Sequence, residues 1–301
     1  MRKLQSKYEE YRTWPRWYYH MTFDSIEKGQ LFNGNGEYAE GMNSIALGQY
    51  VHNLSIIAFN LMVNHCHILA YGSGEDMVRF FTFMKRRIGE RLKEDGFAPL
   101  PLEYGFKLVK VEDKRQLADT IIYIARNPFR ACPGIAAGSY LWGSTNLIFN
   151  GMKDIVAKRQ FGELSLRKKR LMLKSKRMLP DNYLFNESLG FILPESYVLT
   201  EKVERLFGSS WNYNYNVVRK IDAYVRIAEG VGETVILSEE ELGEVISISV
   251  KKMFNVSSVR ELGIDDRCRL AVHLKTKYRV NIKRIARRLQ LDVSTLKRLF
   301  E

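Results

Sequence analysis

Leu54-Ser55-Ile56-Ile57-Ala58-Phe59-Asn60-Leu61-Met62-Val63-Asn64-His65-Cys66-His67-Ile68-Leu69-Ala70-Tyr71 is the stretch whose reading decides the fold. Two apolar runs, Leu54 to Met62 and His67 to Tyr71, are joined by the polar pair Asn64-His65. Short apolar runs bounded by polar residues predict consecutive strands, with the junction near Val63-Asn64. Upstream, Trp17-Tyr18-Tyr19-His20-Met21-Thr22-Phe23 is aromatic and β-branched enough for another strand. Asn33-Gly34-Asn35-Gly36 predicts a turn, and residues 37–52 a helix that Gly41 and Gly48 weaken. Downstream, Met77, Phe80, Phe81, Met84, Ile88 and Leu92 recur at helical spacing over 75–95. Phe106 to Val111 alternates like a half-buried strand. Residues 113–127 predict a helix carrying Leu117, Ile121, Ile122 and Ile124, stopped by Pro128. The order strand, helix, strand, strand, helix, strand, helix predicts an α+β fold, a sheet covered by helices.

Composition shifts near residue 150. The first domain is expected over 1–150, a basic and mainly helical region over 151–260, and a further module over 261–301. Residues 167–178 hold seven basic residues among twelve, a run that either tracks a polyanion or is a solvated face. Trp211, Tyr213 and Tyr215 could stack on unpaired bases or simply pack. Ile282 to Phe300 reads as helix, tight turn, helix. Ile282, Ile285, Ala286 and Leu289 give one inward face, and Leu296, Leu299 and Phe300 the other. Ser294 and Thr295 sit where an N-cap is expected. If this segment binds DNA, Ser294, Thr295, Lys297 and Arg298 face the groove or the backbone. A plain helical bundle with solvated basic residues is the alternative.

The chain has 301 residues, with 47 Lys and Arg against 34 Asp and Glu, a formal charge of +13. Such a surface attracts phosphate polyanions, although a merely basic soluble protein has the same count. No run of 18 apolar residues suggests a membrane span, and the first eight residues lack a signal-peptide core. Cys66, Cys132 and Cys268 are scattered and odd in number, which argues against a disulfide framework and suits the cytoplasm.

Two segments carry chemistry. On a strand His65 and His67 share a face while Cys66 points away, so two imidazoles can ligate one divalent cation; two histidines packed on a sheet face is the alternative. In Tyr123-Ile124-Ala125-Arg126-Asn127-Pro128-Phe129-Arg130-Ala131, Tyr123 and Asn127 lie one above the other on a helix. A helical tyrosine is more commonly packing, but a His-x-His strand precedes this one by about 55 residues.

Together these segments resemble the single-tyrosine HUH transposases of insertion sequences, and most closely their REP-associated branch. The resemblance runs from about Tyr18 to Phe149. It takes in Tyr19-His20-Met21-Thr22, Val63 to His67, Tyr123 to Ala131, and Tyr140-Leu141-Trp142-Gly143-Ser144. Val63 stands where the family often has Pro, and Asp24-Ser25 where Arg-Gly often follows the first strand. Neither departure removes a candidate ligand or nucleophile. The end of the chain is similar to DnaA-like helix-turn-helix modules, which its Asp292-Val293-Ser294-Thr295 matches in part.

The resemblance implies a ferredoxin-like HUH nuclease domain with an antiparallel sheet, followed by a mainly helical C-terminal region. It implies that His65, His67 and Asn127 hold Mg²⁺ or Mn²⁺. Tyr123 would be the nucleophile that cleaves and rejoins single-stranded, hairpin-containing DNA through a 5′-phosphotyrosine. Arg126 and Arg130 would be DNA contacts. Some relatives are homodimers and others act alone. A domesticated DNA-binding regulator that lost the chemistry is the main rival. A replication initiator or relaxase, and a structural metal protein, are two more.

Overall fold

The computed structural model describes residues 8–24, 30–131, 139–149, 158–233 and 235–300, without the side chains of 129–131. The chain divides into two compact units, 1–220 and 221–301, where the sequence suggested boundaries near 150 and 260.

The first unit is built on β1 (Trp17–Phe23), α1 (Asn35–Val51), β2 (Ser55–Leu61), β3 (Cys66–Gly72), α2 (Gly74–Glu94), β4 (Phe106–Lys110) and α3 (Lys114–Ala131). The four strands form one sheet in the order β2-β3-β1-β4, every neighbouring pair antiparallel. This is the ferredoxin-like arrangement, and the fold is α+β as expected. Period-two alternation divides the sheet cleanly. Tyr19, Met21, Phe23, Phe59, Leu61, Cys66, Ile68 and Ala70 face one way and share a core with α1 and α2. His20, Thr22, Asn60 and His67 take the opposite face, all buried. There α3 packs against β2 and β3.

Gly48 does not weaken α1 as expected. A Cβ there would lie 2.8 Å from the Phe80 ring, so the bare backbone is what lets α1 and α2 approach. A second correction concerns α3, which runs through Pro128 to Ala131 instead of stopping before it.

Beyond residue 150 the expected helical region begins with strands. β5 (Lys158–Gln160), β6 (Leu184–Asn186) and β7 (Phe191–Ile192) form a small antiparallel sheet, with α4 (Leu166–Leu173) between the first two. Buried polar groups dock this segment onto α1 and α2. Asn43 donates to the Gly190 carbonyl at 2.9 Å and accepts from the Ile192 amide at 2.8 Å. Arg87 donates to Ser44 Oγ at 2.6 Å and to the Leu173 carbonyl at 2.9 Å, closing the C-terminus of α4. α5 (Thr200–Phe207) and α6 (Ser210–Arg219) complete the unit.

The second unit holds α7 (Ile221–Val231), α8 (Glu239–Phe254), α9 (Ile264–Tyr278), α10 (Ile282–Leu289) and α11 (Val293–Phe300). Leu242, Leu270, Leu274, Ile285, Leu289 and Leu296 form its core. Among the described residues, no helix is long and apolar enough to cross a membrane.

Candidate active site

The β2–β3 hairpin turns at Val63-Asn64, closed by the Met62 amide donating to the His65 carbonyl at 2.8 Å. His65 therefore precedes β3 instead of lying on it, yet its ring still meets that of His67. The two Nε2 atoms are 3.0 Å apart. Cys66 between them is buried on the opposite face, and burial pushes its thiol pKa up, so it is no ligand.

Proton positions follow from the partners. Asn64 Oδ1 lies 2.8 Å from His65 Nδ1 and can only accept, so in the neutral ring Nδ1 carries the hydrogen and Nε2 the lone pair. His67 Nδ1 lies 3.3 Å from Thr22 Oγ1, a hydroxyl able to donate or accept. Moving one proton, from His67 Nε2 to Nδ1, leaves a lone pair on both Nε2 atoms. Their 3.0 Å separation matches two imidazoles each holding one ion at about 2.1 Å. Burial lowers the His65 pKa to about 4, and burial with the neighbouring His65 and His20 keeps His67 well below the ordinary histidine value. Both rings are thus neutral at pH 7 and do not need to shed a proton to bind a cation.

Tyr123 enters this cluster from α3. Its ring centroid is 5.2 Å from that of His67 and 5.7 Å from that of His20, both edge-on. Ile121, Ile122 and Ile124 are buried beside it and seat the helix on the sheet. Asn127, one turn further on, is buried as well.

The chain has five histidines, and three of them, His20, His65 and His67, meet here. His20 and Thr22 were quoted in the sequence motif without a role. Their i, i+2 spacing on β1 is the same signal as His65 and His67, but only the β1–β3 pairing, Thr22 opposite His67, reveals the link. Burial pushes His20 down to about 3, which suits a neutral supporting ring.

No protein-family model matches the chain, and no curated protein matches it. Among solved structures it is similar to one described as "Structure of the REP associates tyrosine transposase bound to a REP hairpin". The sequence identity is 14% and the TM-score 0.38, over 46% of this chain and 82% of that one. A likeness of that degree assigns neither activity nor site.

The remaining candidates lie elsewhere. Arg126, expected at phosphate, is 2% exposed, and its Nη1 donates to the carbonyls of Val217 at 2.9 Å and Val218 at 3.1 Å. It ties α3 to α6. The side chain of Arg130 lies outside the described residues. On α11, Ser294, Lys297 and Arg298 are exposed and Thr295 half-buried. The helix begins at Val293, so Ser294 and Thr295 occupy its first turn, and Asp292, whose carbonyl accepts from the Leu296 amide at 3.1 Å, takes the cap position. Of the three aromatics near 211–215, Tyr213 is buried, while Trp211 and Tyr215 are exposed and stacked at 5.1 Å.

A second polar feature takes in the end of the basic run over 167–178. Arg12, His52, Arg79, Thr82, Phe83, Arg86, and Ser175 to Arg177 line an open cleft of about 610 Å³. Glu75 pairs with Arg12 and Arg79, and Glu90 with Arg86. Lys176 and Arg177 carry no ion pair among the described residues. Burial, then Arg177 and Arg79, lower the His52 pKa, which reports the positive potential there.

Proposed function

We propose that the protein is a metal-dependent, single-tyrosine DNA strand transferase that cleaves and rejoins single-stranded DNA. The observation that carries this reading is the convergence of His65 and His67 Nε2, 3.0 Å apart, beside the ring of Tyr123 on one buried face. Neutral imidazoles paired at that spacing suit a divalent cation, Mn²⁺ or Mg²⁺, with the Asn127 amide oxygen as a third ligand. When bound, such an ion polarises a phosphodiester as a Lewis acid.

Everything else falls to the chain. Asn64 fixes which nitrogen of His65 carries its hydrogen, and the Thr22 hydroxyl, able to accept, allows His67 to carry its own on Nδ1. α3 presents the Tyr123 phenol, and its oxygen forms a bond to phosphorus as the P–O3′ bond breaks. The products are a 5′-phosphotyrosine and a free 3′-hydroxyl. One phosphodiester replaces another, so rejoining requires no nucleotide cofactor. An ordinary phenol, with a pKa of about 10, is a weak nucleophile at neutral pH, which is why positioning and charge stabilisation must supply the rate. The charge of +13 and the basic cleft favour a polyanionic substrate. The exposed Ser294, Lys297 and Arg298 of α11, with Thr295, are the proposed contacts of a second DNA-binding module.

The test is covalent trapping. Full-length protein is incubated with single-stranded hairpin DNA from its own flanking region, with Mn²⁺ or EDTA, and run on a denaturing gel. The expected result is a metal-dependent shifted band, absent in Tyr123→Phe. Tight binding without a band would favour the regulator reading.

A further inference from the structure

Pro128 should have ended α3, and the reason that it does not bears on Tyr123. In an α-helix the carbonyl of residue i accepts from the amide of i+4. The partner of the Ile124 carbonyl would be residue 128, and proline has no N–H to give. The proline ring also crowds that carbonyl and turns it off the helix axis. Yet α3 continues to Ala131.

The missing donor comes from the sheet. Asn60, on β2 and fully buried, donates from Nδ2 to the Ile124 carbonyl at 2.5 Å. A carbonyl only accepts, so this contact fixes the amide orientation. Asn60 Oδ1 is left buried with no hydrogen-bond partner. An apolar side chain here would leave the Ile124 carbonyl unmatched in its turn, which is costly. The residue directly across from Asn60 on β3 is His67. One side chain therefore joins the strand opposite a candidate ligand to the carbonyl of the residue that follows the candidate nucleophile.

The backbone of Asn60 is itself clamped. Gly143 bridges to it, and a Cβ on Gly143 would come within 2.8 Å of the Phe59 carbonyl and 3.1 Å of the Asn60 Cβ. Beside it, the Ser144 amide donates to the Phe59 carbonyl at 3.0 Å, and Ser144 Oγ accepts from the Phe59 amide at 2.9 Å. The Trp142-Gly143-Ser144 segment thus closes the open edge of β2 beside the residue that holds the helix.

We propose that Asn60 is the positioning residue of the tyrosine helix: its amide replaces the N–H that Pro128 lacks and so fixes the turn bearing Tyr123 and Asn127 relative to His67. This rests on the reading of Tyr123 as nucleophile. Pro128 admits Asn60 into the hydrogen-bond ladder, and Asn60 ties the ladder to the metal-binding face.

The pair can be tested as a cycle in the full-length protein. Asn60→Ala, Pro128→Ala and the double variant are compared in the rate of Tyr123 adduct formation at saturating hairpin DNA with Mn²⁺, in DNA affinity, and in thermal midpoint. Asn60→Ala should lower the saturated rate by about 100-fold, because a small misplacement of a nucleophile is that costly, while DNA affinity is unchanged. Pro128→Ala restores a donor at residue 128, so the double variant should regain the thermal midpoint lost in Asn60→Ala but not the rate, because the tie to the sheet is still missing. Asn60→Asp, isosteric but without the donor, should repeat the loss and stands in if the alanine variant does not fold. A normal rate in Asn60→Ala, or a double variant that regains the rate, overturns the proposal. Additive shifts of the thermal midpoint overturn it too, even if no DNA chemistry is seen. The reading of Tyr123 fails separately, when the wild-type protein forms no adduct.

Discussion

Polar side chains on the two sides of the four-stranded sheet are used differently. On the side covered by α1 and α2, Asn43 engages the Met172 and Gly190 carbonyls and the Ile192 amide, and Arg87 the Leu173 and Lys174 carbonyls, so each docks one piece of chain onto another. On the other face, ring nitrogens of His65 and His67 converge on each other, and Asn60 Oδ1 has no partner. Burial alone does not separate structure from chemistry; what each group meets does. The docking groups spend their hydrogen bonds on other segments of the chain, whereas the two histidines turn ring nitrogens toward each other.

That contrast can be broken first at the ligands. His65→Ala should reduce adduct formation by at least about 100-fold and remove its dependence on Mn²⁺, since the remaining imidazole holds a cation weakly. A rate that stays metal-dependent and near wild type would place the ion elsewhere.

Acid titration sharpens it next. His65 binds a proton near pH 6.5 when unfolded and only near pH 4 when folded. The unfolded chain therefore takes up protons first as pH falls. The stability contributed by the neutral ring is present above pH 6.5 and lost progressively down to about 4, roughly 3 kcal/mol in all for His65. Unfolding measured in EDTA across this range should show that loss, and His65→Ala should lessen it.

The converse substitution belongs to the matched face. Asn43→Ala should cost on the order of 2 kcal/mol of stability by leaving the Ile192 amide and Gly190 carbonyl unmatched, yet leave adduct chemistry intact below the melting transition. The smallest effect is expected farthest from the sheet. Reversing both Lys297 and Arg298 to Glu should weaken DNA binding by about 10-fold at moderate salt without changing the rate at saturating DNA.

Much of the first unit was legible because its strands and helices are long enough for their periods to show. β1 was read at its observed limits, and α1 and α2 within two residues of theirs. β5 to β7 were not legible, since Phe191–Ile192 is too short to display alternation and its docking depends on Asn43, far away in sequence. The division at residue 220 left no trace either. α6 ends at Arg219 and α7 begins at Ile221, with no glycine- or proline-rich linker to mark it. Of the candidate site, the i, i+2 histidines and the helical tyrosine were visible as local patterns. Thr22 and Asn60 were not, because their roles exist only through strand pairing and a contact spanning 64 residues. The stop expected at Pro128 failed for the same reason: the rule is local, and the compensating donor is not.

The most direct test of the account is to locate the covalent bond. After incubation with Mn²⁺ and hairpin DNA, the protein is denatured, digested with protease and nuclease, and its nucleotide-bearing peptide sequenced by mass spectrometry. The account predicts a single modified residue, Tyr123, linked through a 5′-phosphate. A nucleotide on any other residue, or none despite tight binding, would contradict it.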